Sequence, residues 1–246
     1  MSTVRPWGEL TREEITELAP DALLVLPVGS TEQHGPHLST GTDAFLVSAV
    51  AHRAAERATR PPTILLAPTL PYGASAHHLP FGGTLSLEVT TFELALRDLL
   101  ASAAGAGCRR VFILNGHGGN AAACASAAAQ ASRLHGIAVA TGLFSDLLTG
   151  EEVTGPVRGH AGFFETSLVL ALDATRVRPH LATPSPGGAA RTRRKGLVVA
   201  DPKRWAALDG YTDRPDEASG EHGEALLEAC TRSVAAAFEE LSDIDV

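Results

Sequence analysis

Apolar residues fall in short blocks along this chain, separated by polar loops rich in glycine and histidine. Leu23–Val28 is an unbroken apolar run, the pattern of a strand covered on both faces of a parallel sheet. Residues 63–70, 110–114 and 137–144 repeat the pattern and predict three more strands. Between them the apolar period lengthens to that of a helix. Residues 43–57 carry apolar positions at Phe45, Val47, Ala49, Val50 and Ala51. A second helix opens on a capping-box pattern at Thr90 and Glu93 and runs to about residue 104, with Glu93 and Arg97 i, i+4 on its surface. An alanine-rich helix continues from residue 120 to 134. Thr11 and Glu14 form another capping box, opening a short helix that Pro20 ends. Strands alternating with helices imply an α/β domain with a largely parallel sheet.

After residue 144 the pattern loosens. Residues 155–167 form a polar loop leading into a helix over SLVLALD. Residues 182–220, rich in Pro, Gly, Arg and Asp, read as a long irregular excursion. Its basic run, Arg191, Arg193, Arg194 and Lys195, reads as a solvated face. A last helix is expected over 223–241.

Composition narrows the classes. A length of 246 residues suits one sizeable domain or two small ones, and with nothing resembling a linker the chain reads as a single domain over 1–246. A net charge of −8 argues against a nucleic-acid partner, which needs a basic face. Cys108, Cys124 and Cys230 are scattered, odd in number and outside any CxxC pattern, so they read as reduced, buried thiols of a cytoplasmic protein. The opening MSTVRPWGELTREE lacks the apolar segment of a secretory signal. No apolar stretch approaches the ~20 residues of a membrane helix.

Two strand-end loops, where ligands bind in open parallel sheets, and a later polar loop carry the chemistry. In the first, Glu32 and His34 are spaced i, i+2, which puts both side chains on one side of an extended segment, and Asp43 follows nine residues later. Two carboxylates and an imidazole there make the first half of a divalent-metal site. In the second, Asn115-Gly116-His117-Gly118-Gly119-Asn120, the glycines suit a phosphate cradle, a metal ligand on a tight turn, or a His that bonds within the turn. The phosphate reading is weakened because Asn120 and Ala121 stand where a Lys and Ser/Thr would be needed. His160 and Glu165 form the third cluster. Alone, each could be an ordinary surface imidazole or a first-turn carboxylate. Together these residues make two His and three carboxylates, enough for two divalent ions, with one His left for proton transfer. A serine nucleophile at Ser30 is disfavoured, since the segment lacks the second Gly of a nucleophile elbow. His52 and His135 read as structural or exposed. His37 has no assigned role, and His77 and His78 either line a pocket mouth or are plain loop residues.

The segments GSTEQHGPHLSTGTD, PYGASAHHLPFGGTLSL, NGHGGN and HAGFFETS, taken together and in that order, resemble the creatininase (creatinine amidohydrolase) family. The resemblance implies a three-layer α/β/α sandwich with a mostly parallel central sheet, a dinuclear centre of Zn²⁺ or Mn²⁺ (Fe²⁺ suits the same donors), and a homo-oligomer, often a hexamer. It implies hydrolysis of an amide C–N bond, in a lactam or formamide, by hydroxide held on two metals. Glu32 and His34 would each bind one metal, Asp43 would bridge them, and His117 would join Glu32. In creatininase the last ligand is a Glu two residues after the motif histidine. Here that position is Gly119, so Glu165 is expected to supply the carboxylate, and creatinine is disfavoured as substrate. His160 matches the general acid/base, which places His160 and Glu165 in the catalytic set. Gln33, Asn115 and Asn120 are candidates to orient the ligands. The alternatives are a peptidase of the same fold acting on a short mycofactocin-precursor-like peptide, and a non-catalytic binding or assembly protein.

Overall fold

In the computed structural model, which describes residues 3–148, 159–187 and 202–246 (side chains of 202 and 204 excepted), five parallel strands form one sheet. They are β1 (Thr3–Pro6), β2 (Leu23–Val28), β3 (Thr63–Leu66), β4 (Arg110–Asn115) and β5 (Ala138–Leu143), in the order β1-β3-β2-β4-β5. The pleat of β2 sorts its residues between two cores. Leu23 and Val25 face one side with Phe112 and Leu114 of β4, where α2 (Thr42–Arg57), α5 (Phe163–Asp173) and α7 (Gly220–Ser242) pack. Leu24, Leu26 and Val28 face the other, under α3 (Val89–Gly105) and α4 (Ala121–His135), with Ala19 and Ala22 beside α1 (Arg12–Leu18). This is the expected three-layer α/β/α arrangement. Among the described residues, no helix is long and apolar enough to cross a membrane.

Several expectations need correction. β1 was not foreseen, because a four-residue edge strand holding Arg5 and Pro6 carries no apolar run. The strand expected over 63–70 leaves the ladder after Leu66 and rejoins at a single bridge, Val28 to Leu70. Pro27 explains this. Its carbonyl accepts from Leu70 N at 3.0 Å, but it has no N–H to offer on that edge. The Thr11–Glu14 capping box forms as read. The one at Thr90 and Glu93 does not: α3 starts from Glu88, and Glu93 accepts from Ser126 Oγ and Gln130 Nε2 of α4 at 2.9 and 2.7 Å. α5 starts four residues earlier than expected, so Glu165 lies in its first turn. The excursion over 182–220 contains a short helix, α6 (Pro202–Ala207). The basic run 191–195 lies outside the described residues. All three cysteines are buried, and burial pushes their thiols up to about 11 for Cys108 and about 12 for Cys124 and Cys230.

Candidate metal centre

The carboxyl ends of β2 and β4 and the starts of α2 and α5 meet on one edge of the sheet. Glu32 and His34 leave β2 in an extended loop, Asp43 opens α2, His117 follows β4, His160 precedes α5, and Glu165 lies in its first turn. All six converge. Glu32 and His34 have no solvent exposure, and Asp43, His117 and His160 are buried. Asp43 spans the cluster, with Oδ1 3.1 Å from His34 Nε2 and Oδ2 3.2 Å from His117 Nδ1. His117 Nδ1 lies 3.2 Å from Glu32 Oε1, and His34 Nε2 lies 3.8 Å from Glu165 Oε2. Three overlapping trios place ligand atoms within 4.8 Å of one another: Glu32–Asp43–His117, His34–Asp43–Glu165 and Glu32–His34–His160.

The hydrogen bonds orient each imidazole. His34 Nδ1 donates to the Glu32 carbonyl at 3.0 Å, leaving the Nε2 lone pair toward the carboxylates. His117 Nε2 reaches Ala74 O and Ser75 Oγ, each at 3.3 Å, leaving Nδ1 toward Glu32 and Asp43. Ser75 is in turn held by Ser30. His160 Nε2 donates to Gln33 O at 2.8 Å, leaving Nδ1 3.5 Å from Glu32 Oε1. Imidazoles tied to a carbonyl at one nitrogen and aimed inward at the other are a recurrent feature of metal ligands. Asn115 brackets the His117 backbone, accepting from its N–H at 3.0 Å and donating to its carbonyl at 2.8 Å. Asn120 ties this loop to Ala74 N and Gly29 O.

The charge balance tests whether cations fit. Glu32 Oε1 and Oε2 and Asp43 Oδ2 are buried and make no well-directed hydrogen bond among the described residues, although His117 Nδ1 approaches Glu32 Oε1 and Asp43 Oδ2 at 3.2 Å. Burial alone would lower the His34 pKa, yet Asp43, Glu165 and Glu32 raise it to about 10. His117 is raised well above the usual histidine value against the same burial, by Glu32 and Asp43. Burial raises the Glu165 carboxyl, helped by Asp43 and Glu32. In the absence of metal, protons on imidazoles compensate the carboxylates. The donor set therefore fits divalent cations.

His160 is one expected residue that the geometry allows in two roles, since it also completes a trio with Glu32 and His34. Gly119 carries no donor, and a Cβ there would lie 2.4 Å from both Ala74 O and His117 Nε2. His78, left open above, is buried in the cluster with Nε2 3.3 Å from Glu32 Oε1, while His77 is half-buried and stacks over His117 at 5.6 Å. Trp205 of α6, which sequence reasoning missed, packs on His78 at 4.7 Å and on His160 at 5.5 Å. Its place in the irregular stretch gave no signal. His37 is buried and bonds Ala161 O and Thr166 Oγ1 at 2.9 and 3.1 Å. His52 and His135 are exposed.

A carboxylate–imidazole cluster on the strand-end edge of a three-layer α/β/α sandwich is a set of donors suited to divalent cations. Comparison with known proteins gives the family. The creatininase family profile, described as creatinine amidohydrolase, matches residues 8–238. The creatinine amidohydrolase of Pseudomonas putida is 32% identical over 267 residues, covering 95% of each chain. A mycofactocin precursor peptide peptidase of Mycobacterium tuberculosis is 33% identical over 222 residues, covering 82% of this chain and 83% of that one. A solved Mn creatininase superposes with a TM-score of 0.83 at 31% identity, covering 98% of this chain and all of that one (100%). The chain belongs to the creatininase family, a family of hydrolases acting on amide C–N bonds.

Proposed function

We propose that this chain is a metal-dependent amidohydrolase that holds two divalent ions side by side. The observation carrying this reading is the convergence of two buried carboxylates, Glu32 and Asp43, and the half-buried Glu165 with the imidazoles of His34 and His117. Glu32, Asp43 and His117 would hold one ion, and His34, Asp43 and Glu165 the other, with Asp43 shared. When bound, Zn²⁺ or Mn²⁺ (or Fe²⁺) supplies Lewis acidity that acidifies water and polarises a carbonyl. The chain does the rest. His160, held by Gln33 O, takes a proton from the attacking water at Nδ1 and delivers it to the departing nitrogen, so the ring ends as it began. Glu165 belongs to the catalytic set as a ligand at the reacting centre. Trp205 packs edge-on against the His160 ring at 5.5 Å.

The substrate is an amide other than creatinine, such as another lactam or a formamide, because the ligand position of creatininase is Gly119 here. A peptidase acting on a short peptide is the second reading, favoured by the 33% identity to a mycofactocin precursor peptide peptidase. We read residues 1–246 as one domain of a cytoplasmic homo-oligomer, a hexamer by family resemblance, with no nucleic-acid or membrane partner.

Elemental analysis of protein purified without chelator tests the site. About two ions per chain in wild type, and clearly fewer in Glu165→Ala, are expected. Failure to bind metal even with added Zn²⁺ or Mn²⁺ would sink the reading and leave a binding or assembly protein. Lactams, formamides and short peptides assayed side by side then separate the amidase from the peptidase.

A further inference from the structure

The amide of Gln33 is oriented by two backbone groups of opposite kind. Gly35 N–H can only donate, and it lies 2.9 Å from Oε1. Gly210 C=O can only accept, and it lies 2.6 Å from Nε2. Both glycines have left-handed backbone, with φ of 62° and 78°, which brings their peptide groups close to the amide. The second hydrogen on Nε2 then faces His78 Nδ1 at 2.8 Å. Nδ1 of His78 must accept, so the proton of the neutral ring sits on Nε2, 3.3 Å from Glu32 Oε1. His160 Nε2 faces the main-chain oxygen of Gln33 at 2.8 Å, so it carries that ring's proton, and Nδ1 turns its lone pair toward the same Glu32 oxygen. The approach of His160 Nε2 to Gln33 Nε2, 3.2 Å, therefore brings two donors together and bonds neither. The rings stack 4.2 Å apart at 22°. They share one tautomer but present opposite groups to the site: a lone pair from His160, an N–H from His78.

We propose that Gln33 is a positioning residue that sets this polarity, making His160 the proton acceptor and His78 a neutral hydrogen-bond donor beside it. The inference rests on the hydrolase reading. One proton travels from water oxygen to His160 Nδ1 and on to the leaving nitrogen. His78 keeps its proton throughout and stabilises negative charge developing beside Glu32.

The test is solid-state ¹⁵N NMR of zinc-loaded protein with ring-labelled histidine, His78 being assigned by its loss in His78→Gln. Wild type should show His78 protonated at Nε2 and bare at Nδ1. Gln33→Glu replaces the donor facing Nδ1 with an acceptor and should move the proton to Nδ1. The His160 signals should stay, because its partner is the main chain. kcat should fall about 10- to 100-fold with KM and zinc content little changed. His78→Gln, which keeps an N–H near the Nε2 position, should retain more kcat than His78→Leu. A wild-type His78 protonated at Nδ1, an unmoved tautomer in Gln33→Glu, or a moved tautomer with unchanged kcat would each overturn the proposal. Wild type with the assigned tautomers but no hydrolysis of any amide would overturn the catalytic role through the hydrolase reading, the intact tautomers marking that failure as distinct.

Discussion

Two of the buried histidines that accompany this cluster answer to different surroundings, and each supports a prediction. His160 has a carbonyl at one nitrogen and the carboxylate edge at the other. His160→Ala should reduce turnover about 100-fold or more while leaving metal content near wild type. Loss of metal in that variant, measured by elemental analysis, would make His160 a ligand instead. His37 sits three residues beyond His34, and its Nδ1 has no hydrogen-bond partner among the described residues. Burial, and to a smaller extent the charge of His34, lower its pKa from 6.5 to about 4, against the pull of Ala161 O. The unfolded chain therefore binds more protons between those values. Stability from a neutral His37 is complete above about pH 6.5 and is lost as pH falls toward 4, by roughly 3 kcal/mol. Urea denaturation at pH 7 and pH 4.5 should show this loss, and His37→Gln should reduce it without abolishing it, since burial lowers His78 and His160 in the same direction.

At the scale of elements, α5 depends on a residue fifty positions away. Its N-cap, Gly162, has no side chain to offer. Asp213 replaces it, with Oδ1 accepting from Phe163 N at 2.7 Å and from Arg214 N at 2.6 Å. Beside it, Thr212 N donates to His160 O and Thr212 Oγ1 accepts from His160 N, each at 2.9 Å. The pair 212–213 thus fastens the loop carrying His160 and the helix turn carrying Glu165. Asp213→Ala should cost about 1–2 kcal/mol in urea unfolding, as loss of a cap does. It should also weaken one bound ion more than the other, read by calorimetric titration with Zn²⁺. Asp213→Asn, which keeps the acceptor, should retain most of both.

At the scale of the molecule, the candidate ligands come from the loops after β2 and β4 and from the starts of α2 and α5, spanning residues 32 to 165. The centre therefore exists only when the sheet, α2 and α5 are assembled. Binding to the folded state alone stabilises it, by about 2.7 kcal/mol when free ion is a hundred times its Kd. Stripping with a chelator should lower the melting temperature, and added Zn²⁺ or Mn²⁺ should restore it in wild type. The double variant Glu32→Ala, Asp43→Ala should lose that response. An unchanged melting curve in wild type would count against a structural link between metal and fold.

Local pattern alone determined much of this. Four of the five strands, the cap of α1, the two-sided burial of β2 and the strand-end placement of the polar loops follow from periodicity and turn chemistry, which act over a few residues. The residue types at 32, 34, 43, 117, 160 and 165 were legible for the same reason, since ligand chemistry is written in side chains. Tertiary structure decided what depends on contacts between distant segments. Glu93 satisfied its carboxylate across helices rather than at its own cap. Pro27 shortened β3 by withholding an N–H from a neighbouring strand. His78, Trp205 and Asp213 joined the site because the chain folds back over it. The tautomers of His78 and His160 were set by the partners at Gln33 and Gly210, whose approach no pattern along the chain records.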